Sequence, residues 1–254
     1  MSGERRDQFV RHVGSRLREC GFSAGTARQA VVVVFDAAEF GEHQAGANDV
    51  LDRTERARAA RFRFRDDRDA YAMAHAVWRV ALGQCLAVAP EEVPLAATTT
   101  GQPRLPGSAL STSLSHSGSM IAISVCTAAT VGIDIERMPA KIDLESLAPV
   151  FCTRQEIEDM TAFDGEVRHR RLMELWTRKE ALLKAFGVGL RTDPASTPAP
   201  AFELLLPPPD AAHYPACATR NVGHEDGWVA AVATPAGVHD ARLHVLAPTA
   251  GHPN

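Results

Sequence analysis

Residues 131–136 read Val-Gly-Ile-Asp-Ile-Glu, and their strict alternation predicts a β-strand with two unlike faces. Successive side chains of a strand point to opposite faces, so the aliphatic residues share one face and Gly132, Asp134 and Glu136 share the other. The two carboxylates would then stand roughly 7 Å apart. Two interpretations are open: a solvated outer face, or a pair of oxygen ligands for Mg²⁺. Gly132 favours the second, because a missing side chain lets a ligand approach the backbone.

Strands and helices are mixed on both sides of this stretch. β-Branched and aliphatic runs predict further strands at 30–35, 120–125, 202–206, 228–233 and 242–247. The strands 120–125 and 131–136 are expected to form a hairpin across residues 126–130. Apolar residues at helical spacing predict helices over 9–20, 52–87, 146–162 and 168–186. This mixture predicts an α+β fold.

The last of these helices carries a second group of charged residues. Residues 176–190 read Trp-Thr-Arg-Lys-Glu-Ala-Leu-Leu-Lys-Ala-Phe-Gly-Val-Gly-Leu. Glu180 and Lys184 stand four residues apart on the flank of the apolar stripe, a spacing that is also typical of a weak surface ion pair. Lys179 falls inside the stripe, where its ammonium must either extend to solvent or bind an anion such as a phosphate.

Composition excludes several classes of protein. The chain has 254 residues, of which 45% are hydrophobic and 23% charged, as expected for a soluble globular protein. A net charge of -4 gives no general attraction to nucleic acid or to anionic membranes. The run 30–35 is too short to span a bilayer, and the charged residues 1–10 predict no secretory signal. Five scattered cysteines favour reduced thiols, so we expect a cytoplasmic protein.

Taken together, two motifs resemble those of a known family. Gly-Ile-Asp-Ile-Glu at 132–136 and Trp-x-x-Lys-Glu-Ala-x-x-Lys at 176–184 resemble the Sfp-type 4'-phosphopantetheinyl transferases. The Ser-His-Ser element at 115–117 and the block at 61–68 are similar to that family as well. The resemblance covers about residues 30–234 and leaves 1–28 as an N-terminal extension.

The resemblance implies a fold and an activity. The fold would be two similar α/β halves related by a pseudo-twofold axis, 29–130 and 131–254, with the site in the cleft between them. The activity would be transfer of 4'-phosphopantetheine from coenzyme A, the co-substrate, to a serine of an acyl or peptidyl carrier protein, with release of adenosine 3',5'-bisphosphate. A monomer is expected, with no nucleic-acid or membrane partner. The carrier protein would dock from Lys141 through the helices of 146–173.

Roles for individual residues follow from the same resemblance. Asp134, Glu136 and Glu180 would hold Mg²⁺, Glu180 would act as general base, and Lys184 would stabilise charge on the pyrophosphate. The residues expected to bind coenzyme A are Arg58, Arg61, Arg104, Ser115, His116, Lys179 and Lys184. Arg58 and Arg61 are the expected ligands of its 3'-phosphate, because guanidinium groups bind phosphate oxygens bidentately.

One position departs from the family pattern. Many relatives have Gly-Lys-Pro where this chain has Gly-Gln-Pro at 101–103. Gln102 supplies hydrogen bonds but no charge, so either Arg104 compensates or binding at this point is weaker. Two other functions remain as alternatives: a different Mg²⁺-dependent phosphotransferase or phosphohydrolase, and a non-catalytic module that binds coenzyme A or a carrier protein.

Overall fold

The computed structural model describes residues 2–140, 142–225 and 227–248. Its α-helices are α1 (Ser2–Glu19), α2 (Gln44–Val50), α3 (Arg53–Ala59), α4 (Arg65–Leu86), α5 (Leu144–Phe151), α6 (Arg154–Met160) and α7 (Gly165–Ala185). Its strands are β1 (Gln29–Asp36), β2 (Ala96–Ala97), β3 (Pro103–Arg104), β4 (Ser111–Ser117), β5 (Met120–Cys126), β6 (Gly132–Arg137), β7 (Cys217–Glu225), β8 (Trp228–Pro235) and β9 (Asp240–Val245). This confirms the α+β class.

Two larger sheets form the framework. The first has the strand order β4-β5-β1-β9, in which β1 runs antiparallel to β5 and parallel to β9. The second has the order β6-β8-β7 and is antiparallel throughout. The predicted hairpin between 120–125 and 131–136 is wrong. Both edges of β5 are taken, by β1 and by β4, so the short connection carries the chain into the second sheet instead.

The two sheets share an apolar core. Val32 and Val34 of β1 belong to the same buried cluster as Ile133 and Ile135 of β6, as the alternation of 131–136 predicts. The opposite face of β1 packs on α1 and α4 in a second cluster. The core therefore holds β6 firmly from its aliphatic side and leaves its carboxylate side for other contacts.

Helix α7 covers the carboxylate side of β6. A Cβ at Gly132 would lie 1.9 Å from the carbonyl oxygen of Ala181 and 2.7 Å from the backbone nitrogen of Ala185. Gly132 is therefore required by the close approach of a helix, not by a ligand. Asp134, two residues further on, is only 3% exposed, so a solvated outer face is excluded.

Several helices differ in length from their predictions. The predicted helix 52–87 is broken between α3 and α4, where the Phe62 ring packs 5.2 Å from the Tyr71 ring. The predicted helix 146–162 is broken at Thr153, whose hydroxyl and Glu156 form a capping box that starts α6. The predicted strand 202–206 makes only isolated bridges at Ala201 and Leu205.

Helix α1 and strand β9 belong to the structure around the first sheet. Phe9, Val13 and Leu17 of α1 are buried with β1 and α4, and β9 completes the sheet beside β1. The divisions 1–28, 29–130 and 131–254 and the pseudo-twofold relation stay predictions. Within the described part of the chain, none of the helices combines the length and apolar character needed to cross a bilayer.

Candidate active site

Strand β4 approaches the carboxylate-bearing strand through alternate serines. Ser113 Oγ accepts a hydrogen bond from the backbone N–H of Ile133 at 3.3 Å. Ser115 Oγ donates to Asp134 Oδ1 at 2.8 Å, and Ser117 Oγ donates to a carboxylate oxygen of Glu136 at 2.6 Å. Since side chains two apart on a strand share a face, this serine series aligns β4 with both acidic residues of β6.

Helix α7 brings a cation to the same place. Lys184 Nζ lies 2.7 Å from Asp134 Oδ1 and 2.8 Å from Ser115 Oγ. The lysine side chain is 28% exposed and that of Asp134 5% exposed, so the pair sits at the boundary between core and solvent. The ammonium of Lys184 thus pairs with Asp134 of β6, and the alternative of a weak surface pair between Lys184 and Glu180 does not describe it.

Glu180 lies on α7 one turn before Lys184 and is strongly perturbed. Burial and the negative charge of Asp134 raise the pKa of Glu180 to about 7, against the lowering effect of Lys184. Glu136 adds a further, smaller raising effect. A carboxyl group with such a pKa exchanges a proton readily at neutral pH, as a general base requires.

Glu136 is held from two sides. Ser117 donates to one carboxylate oxygen, and the indole N–H of Trp176 donates to the other at 3.4 Å. Burial raises the pKa of Glu136, with a contribution from Asp134, while both hydrogen bonds lower it. The negative charge of Asp134 raises the pKa of both Glu136 and Glu180, and we therefore treat the three carboxylates as one cluster.

The side chains of the cluster do not form a complete metal-binding site. In the described ranges, no group of three or more His, Cys, Asp or Glu side chains could hold a metal ion as placed. Asp134 Oδ2 and Glu180 Oε1 are nonetheless buried without a hydrogen-bond partner among the described residues. Buried carboxylate oxygens without partners are costly, so these two atoms are the available acceptors for a cation.

A cavity of about 330 Å³ opens beside Lys184. It is lined by residues of α3, α4, β4, the loop before β3 and the end of α7, among them Arg58, Tyr71, His75, Gln102 and His116. His116 lies exposed at this cavity, and its pKa is lowered, first by desolvation and then by the ammonium of Lys184. The neutral imidazole is therefore favoured at neutral pH, with one ring N–H available as a donor.

Two of the predicted arginines lie at or beside this cavity. Arg58 lines it, with its guanidinium 5.7 Å from the centre of the Tyr71 ring. Arg61 lines an adjoining cavity of about 550 Å³, which also includes Arg58. Arg104 instead lines a separate cavity of about 570 Å³ and donates to the Tyr214 hydroxyl at 2.6 Å. This placement does not support the expectation that Arg104 compensates for the missing lysine charge at 102.

The structure corrects the role expected for Lys179. Its side chain is fully buried, and its ammonium pairs with Glu156 at 2.7 Å. The carbonyl oxygens of Pro194 and Thr197 accept from it as well, at 3.0 Å and 2.5 Å. The anion that this buried cation needs is therefore a carboxylate of α6, and its charge is not available to a phosphate.

Some residues of the site were missed by sequence reasoning. Ser117 and Trp176 belong to the sequence motifs, but the motifs do not indicate that both residues contact Glu136. Tyr71 and His75 were assigned only to a helix. His75 lines the cavity while its Nδ1 lies 3.0 Å from Glu55, an interaction between helices that local periodicity does not reveal. The alternation of Ser113, Ser115 and Ser117 was the available signal for β4.

Two family models match the chain. A model of the 4'-phosphopantetheinyl transferase superfamily matches residues 130–233, which contain β6 and α7. A second model, 4'-phosphopantetheinyl transferase, N-terminal, matches residues 41–128, which contain Arg58 and His116.

Individual relatives agree with the family models. The 4'-phosphopantetheinyl transferase HetI of Nostoc sp. is 34% identical over 176 residues, which cover 63% of this chain and 74% of that protein. A phosphopantetheinyl transferase of Thraustochytrium sp. is 29% identical over 155 residues, which cover 55% of this chain and 54% of that protein. The two family models together match residues 41–128 and 130–233, and the chain belongs to the 4'-phosphopantetheinyl transferase superfamily.

Proposed function

We propose that this protein transfers 4'-phosphopantetheine from coenzyme A to a serine of an acyl or peptidyl carrier protein. The observation that carries the proposal is the buried cluster in which Lys184 contacts Asp134 beside Glu180 and Glu136. Such a cluster could hold a divalent cation for a diphosphate, and it places an ammonium and a proton-accepting carboxylate beside that cation. Family membership supports this chemistry over other uses of a carboxylate cluster.

Coenzyme A is proposed to bind in the cavity beside Lys184. Arg58 and, through the adjoining cavity, Arg61 supply positive charge for the 3'-phosphate. His116 supplies a neutral N–H donor, and Ser115 positions Lys184 through its hydroxyl. Lys179 is left out of the binding site because its ammonium pairs with Glu156, and Arg104 because it lines a different cavity.

We propose that the carboxylate cluster binds a divalent cation. Asp134 and Glu180 each present a buried oxygen that has no hydrogen-bond partner in the described part of the chain. The charged groups that act on Glu180 are Asp134, Glu136 and Lys184. With Glu180 itself, this set contains three carboxylates and one ammonium. A doubly charged cation would balance its negative charge. Oxygen donors of this kind suit Mg²⁺, and we propose Asp134, Glu136 and Glu180 as its ligands. When bound, Mg²⁺ would withdraw charge from the pyrophosphate oxygens.

Two residues of the chain are proposed to take the serine proton and to stabilise the charge on the leaving group. The serine hydroxyl oxygen of the carrier attacks the β-phosphorus of coenzyme A, and the bond from that phosphorus to the bridging oxygen breaks. Adenosine 3',5'-bisphosphate leaves with the electron pair. Glu180 accepts the serine proton; its pKa of about 7 describes the cluster without a bound cation. Lys184 stabilises the negative charge that develops on the leaving phosphate.

The carrier protein is proposed to dock on α5, α6 and the start of α7. Val150 is 64% exposed and Val167 55% exposed on this side. A cavity of about 940 Å³ lies between Val167 and Met138, and Met138 follows Glu136 by two residues. A carrier bound here would present its serine close to the cluster. Lys141, expected at this surface, lies outside the described residues. A cytoplasmic monomer stays a prediction.

The test is mass spectrometry of an apo carrier protein after incubation with coenzyme A and Mg²⁺. The wild-type protein should add one phosphopantetheine, whereas Asp134→Ala and Glu180→Ala should add none while retaining cooperative thermal unfolding. Chelation by EDTA should stop the reaction, and added Mg²⁺ should restore it. Glu39→Ala is the matched control. It removes an exposed carboxylate that follows β1, and this variant should remain active.

The alternatives give different results in the same assay. A phosphohydrolase would cleave coenzyme A without any gain in carrier mass. A binding module would retain coenzyme A without cleaving it. Full transfer by both alanine variants would remove the cluster from the mechanism.

A further inference from the structure

Gln102 joins two parts of the chain that are far apart in sequence. Its side-chain Nε2 lies 3.0 Å from the carbonyl oxygen of Lys184 and 3.1 Å from that of Ala185. It also lies 3.3 Å from Thr130 Oγ1. On its other side, Oε1 accepts a hydrogen bond from the Tyr214 hydroxyl. The amide thus links the loop before β3 to the end of α7 and to the segment before β7.

The contacted carbonyls are those that a helix leaves without internal partners. The last four carbonyl groups of an α-helix receive no intrahelical hydrogen bond. The carbonyl of Lys184 also accepts from Gly187 N–H at 3.1 Å, and the carbonyl of Ala185 accepts from Thr130 Oγ1 at 2.5 Å. Gln102 therefore completes the cap of α7 from a separate segment of the chain.

The local geometry requires an amide at this position. An amide supplies two donor hydrogens for the carbonyls and one acceptor oxygen for Tyr214, whose own oxygen already accepts from Arg104 at 2.6 Å. A lysine would supply donors only and would leave the Tyr214 hydroxyl hydrogen without its acceptor. Gly187 makes room for the amide, since a Cβ there would lie 2.8 Å from Gln102 Oε1.

The capped carbonyl belongs to the residue that carries the site's ammonium. The backbone of Lys184 is held by Gln102 while its Nζ contacts Asp134 and Ser115 at 2.7 Å and 2.8 Å. A shift of the helix end would therefore move Nζ relative to β6. Thr130 and Tyr214 add to the restraint because each contacts the same amide.

We propose that Gln102 is a positioning residue that fixes the end of α7, and with it Lys184, and that it is not a ligand of a coenzyme A phosphate. This inference rests on the proposed transferase function. It explains how the chain does without a lysine at this position: the side chain serves the protein's own backbone. A positioning role predicts a loss of turnover, whereas a phosphate ligand would act mainly on binding of coenzyme A.

The experiment compares Gln102→Met and Gln102→Lys with the wild-type protein. Methionine matches the length of glutamine without its hydrogen bonds, and lysine introduces the charge found in many relatives. For both variants we expect kcat to fall about 10-fold or more, with KM for coenzyme A changed less than about 3-fold. Hydrogen exchange of the amides at 186–188 should accelerate in Gln102→Met, which has no donor for the carbonyls of α7, and this readout is independent of activity.

Gln84→Met is the matched control. Gln84 is also half-buried, and its Nε2 donates to the carbonyl of Gly14 at 2.8 Å. This hydrogen bond connects α4 to α1, whereas those of Gln102 connect the loop before β3 to α7. This variant should lose stability without any change in kcat or in exchange at 186–188. If neither Gln102 variant folds, Tyr214→Phe tests the same network, since it removes the donor to Gln102 Oε1 and should lower kcat in the same direction.

Three results would overturn the proposal. Gln102→Lys could lower KM while kcat is kept, as expected of a phosphate ligand. Gln102→Met could retain wild-type kcat and exchange at 186–188. Gln102→Met and Gln84→Met could lower stability alike with no effect on kcat. If instead the wild-type protein transfers no phosphopantetheine, the proposed function fails, and the exchange measurement still decides whether Gln102 caps α7.

Discussion

Replacement of Gly132 by alanine should disturb both the fold and the catalytic cluster. The new Cβ would lie 1.9 Å from Ala181 O, whereas ordinary van der Waals contact begins at about 3.4 Å. The new Cβ is fixed to the backbone of β6 and meets backbone atoms of α7, so α7 must move away from β6 by roughly 1.5 Å, because the packed interior has no empty space for the added atom. Overpacking of this kind costs about 3 kcal/mol. That cost corresponds to a fall in Tm of about 6–12 °C for a domain of this size.

The same displacement should lower activity in the folded protein. Glu180 and Lys184 flank the contact on α7, and misplacement of reacting groups by about 1 Å can reduce the rate about 100-fold. Calorimetry would measure Tm, and carrier-protein mass spectrometry would measure kcat below the transition. Gly3→Ala is the control, because no atom lies within 4 Å of its added Cβ. A Gly132→Ala protein with wild-type Tm and kcat would refute the account of how α7 is seated on β6.

Two further predictions concern buried charges. Burial alone would raise the pKa of Glu55, but hydrogen bonds from His75 and Arg79 lower it from 4.5 to about 2. Because the folded-state pKa lies below the unfolded value, this carboxylate stabilises the fold by roughly 3 kcal/mol at neutral pH. That stability is lost as the pH falls from 4.5 to about 2. The free energy of unfolding in urea should therefore differ less between pH 7 and pH 3 in Glu55→Gln than in the wild type. An equal difference in the two proteins would contradict this. Lys179→Met should lower stability by about 3 kcal/mol, because it leaves the half-buried Glu156 carboxylate without its cation, and Lys179→Met/Glu156→Gln should recover part of the loss. Titration calorimetry should give both variants the wild-type Kd for coenzyme A, and a large rise in Kd for Lys179→Met alone would restore its expected phosphate contact.

The comparison of Lys179 with Lys184 shows what the sequence could not decide. Both lysines lie in one helix and in one motif, and sequence reasoning gave both a phosphate. The structure separates them, because Glu156 of α6 approaches Lys179 and Asp134 of β6 approaches Lys184. Which anion a lysine meets depends on how other elements pack on each side of the helix, and helical periodicity does not contain that information.

The sequence by itself determined the α+β class, the two faces of β6 and the grouping of Asp134 and Glu136 on one of them. These follow from side-chain periodicity, which is a local property of the chain. Only the tertiary structure decided that β5 and β6 lie in different sheets, that α7 covers the acidic face at Gly132, and that Gln102 caps α7. The physical reason is that strand pairing, helix seating and capping are contacts between segments distant in sequence, and their free energies depend on partners that no single segment specifies.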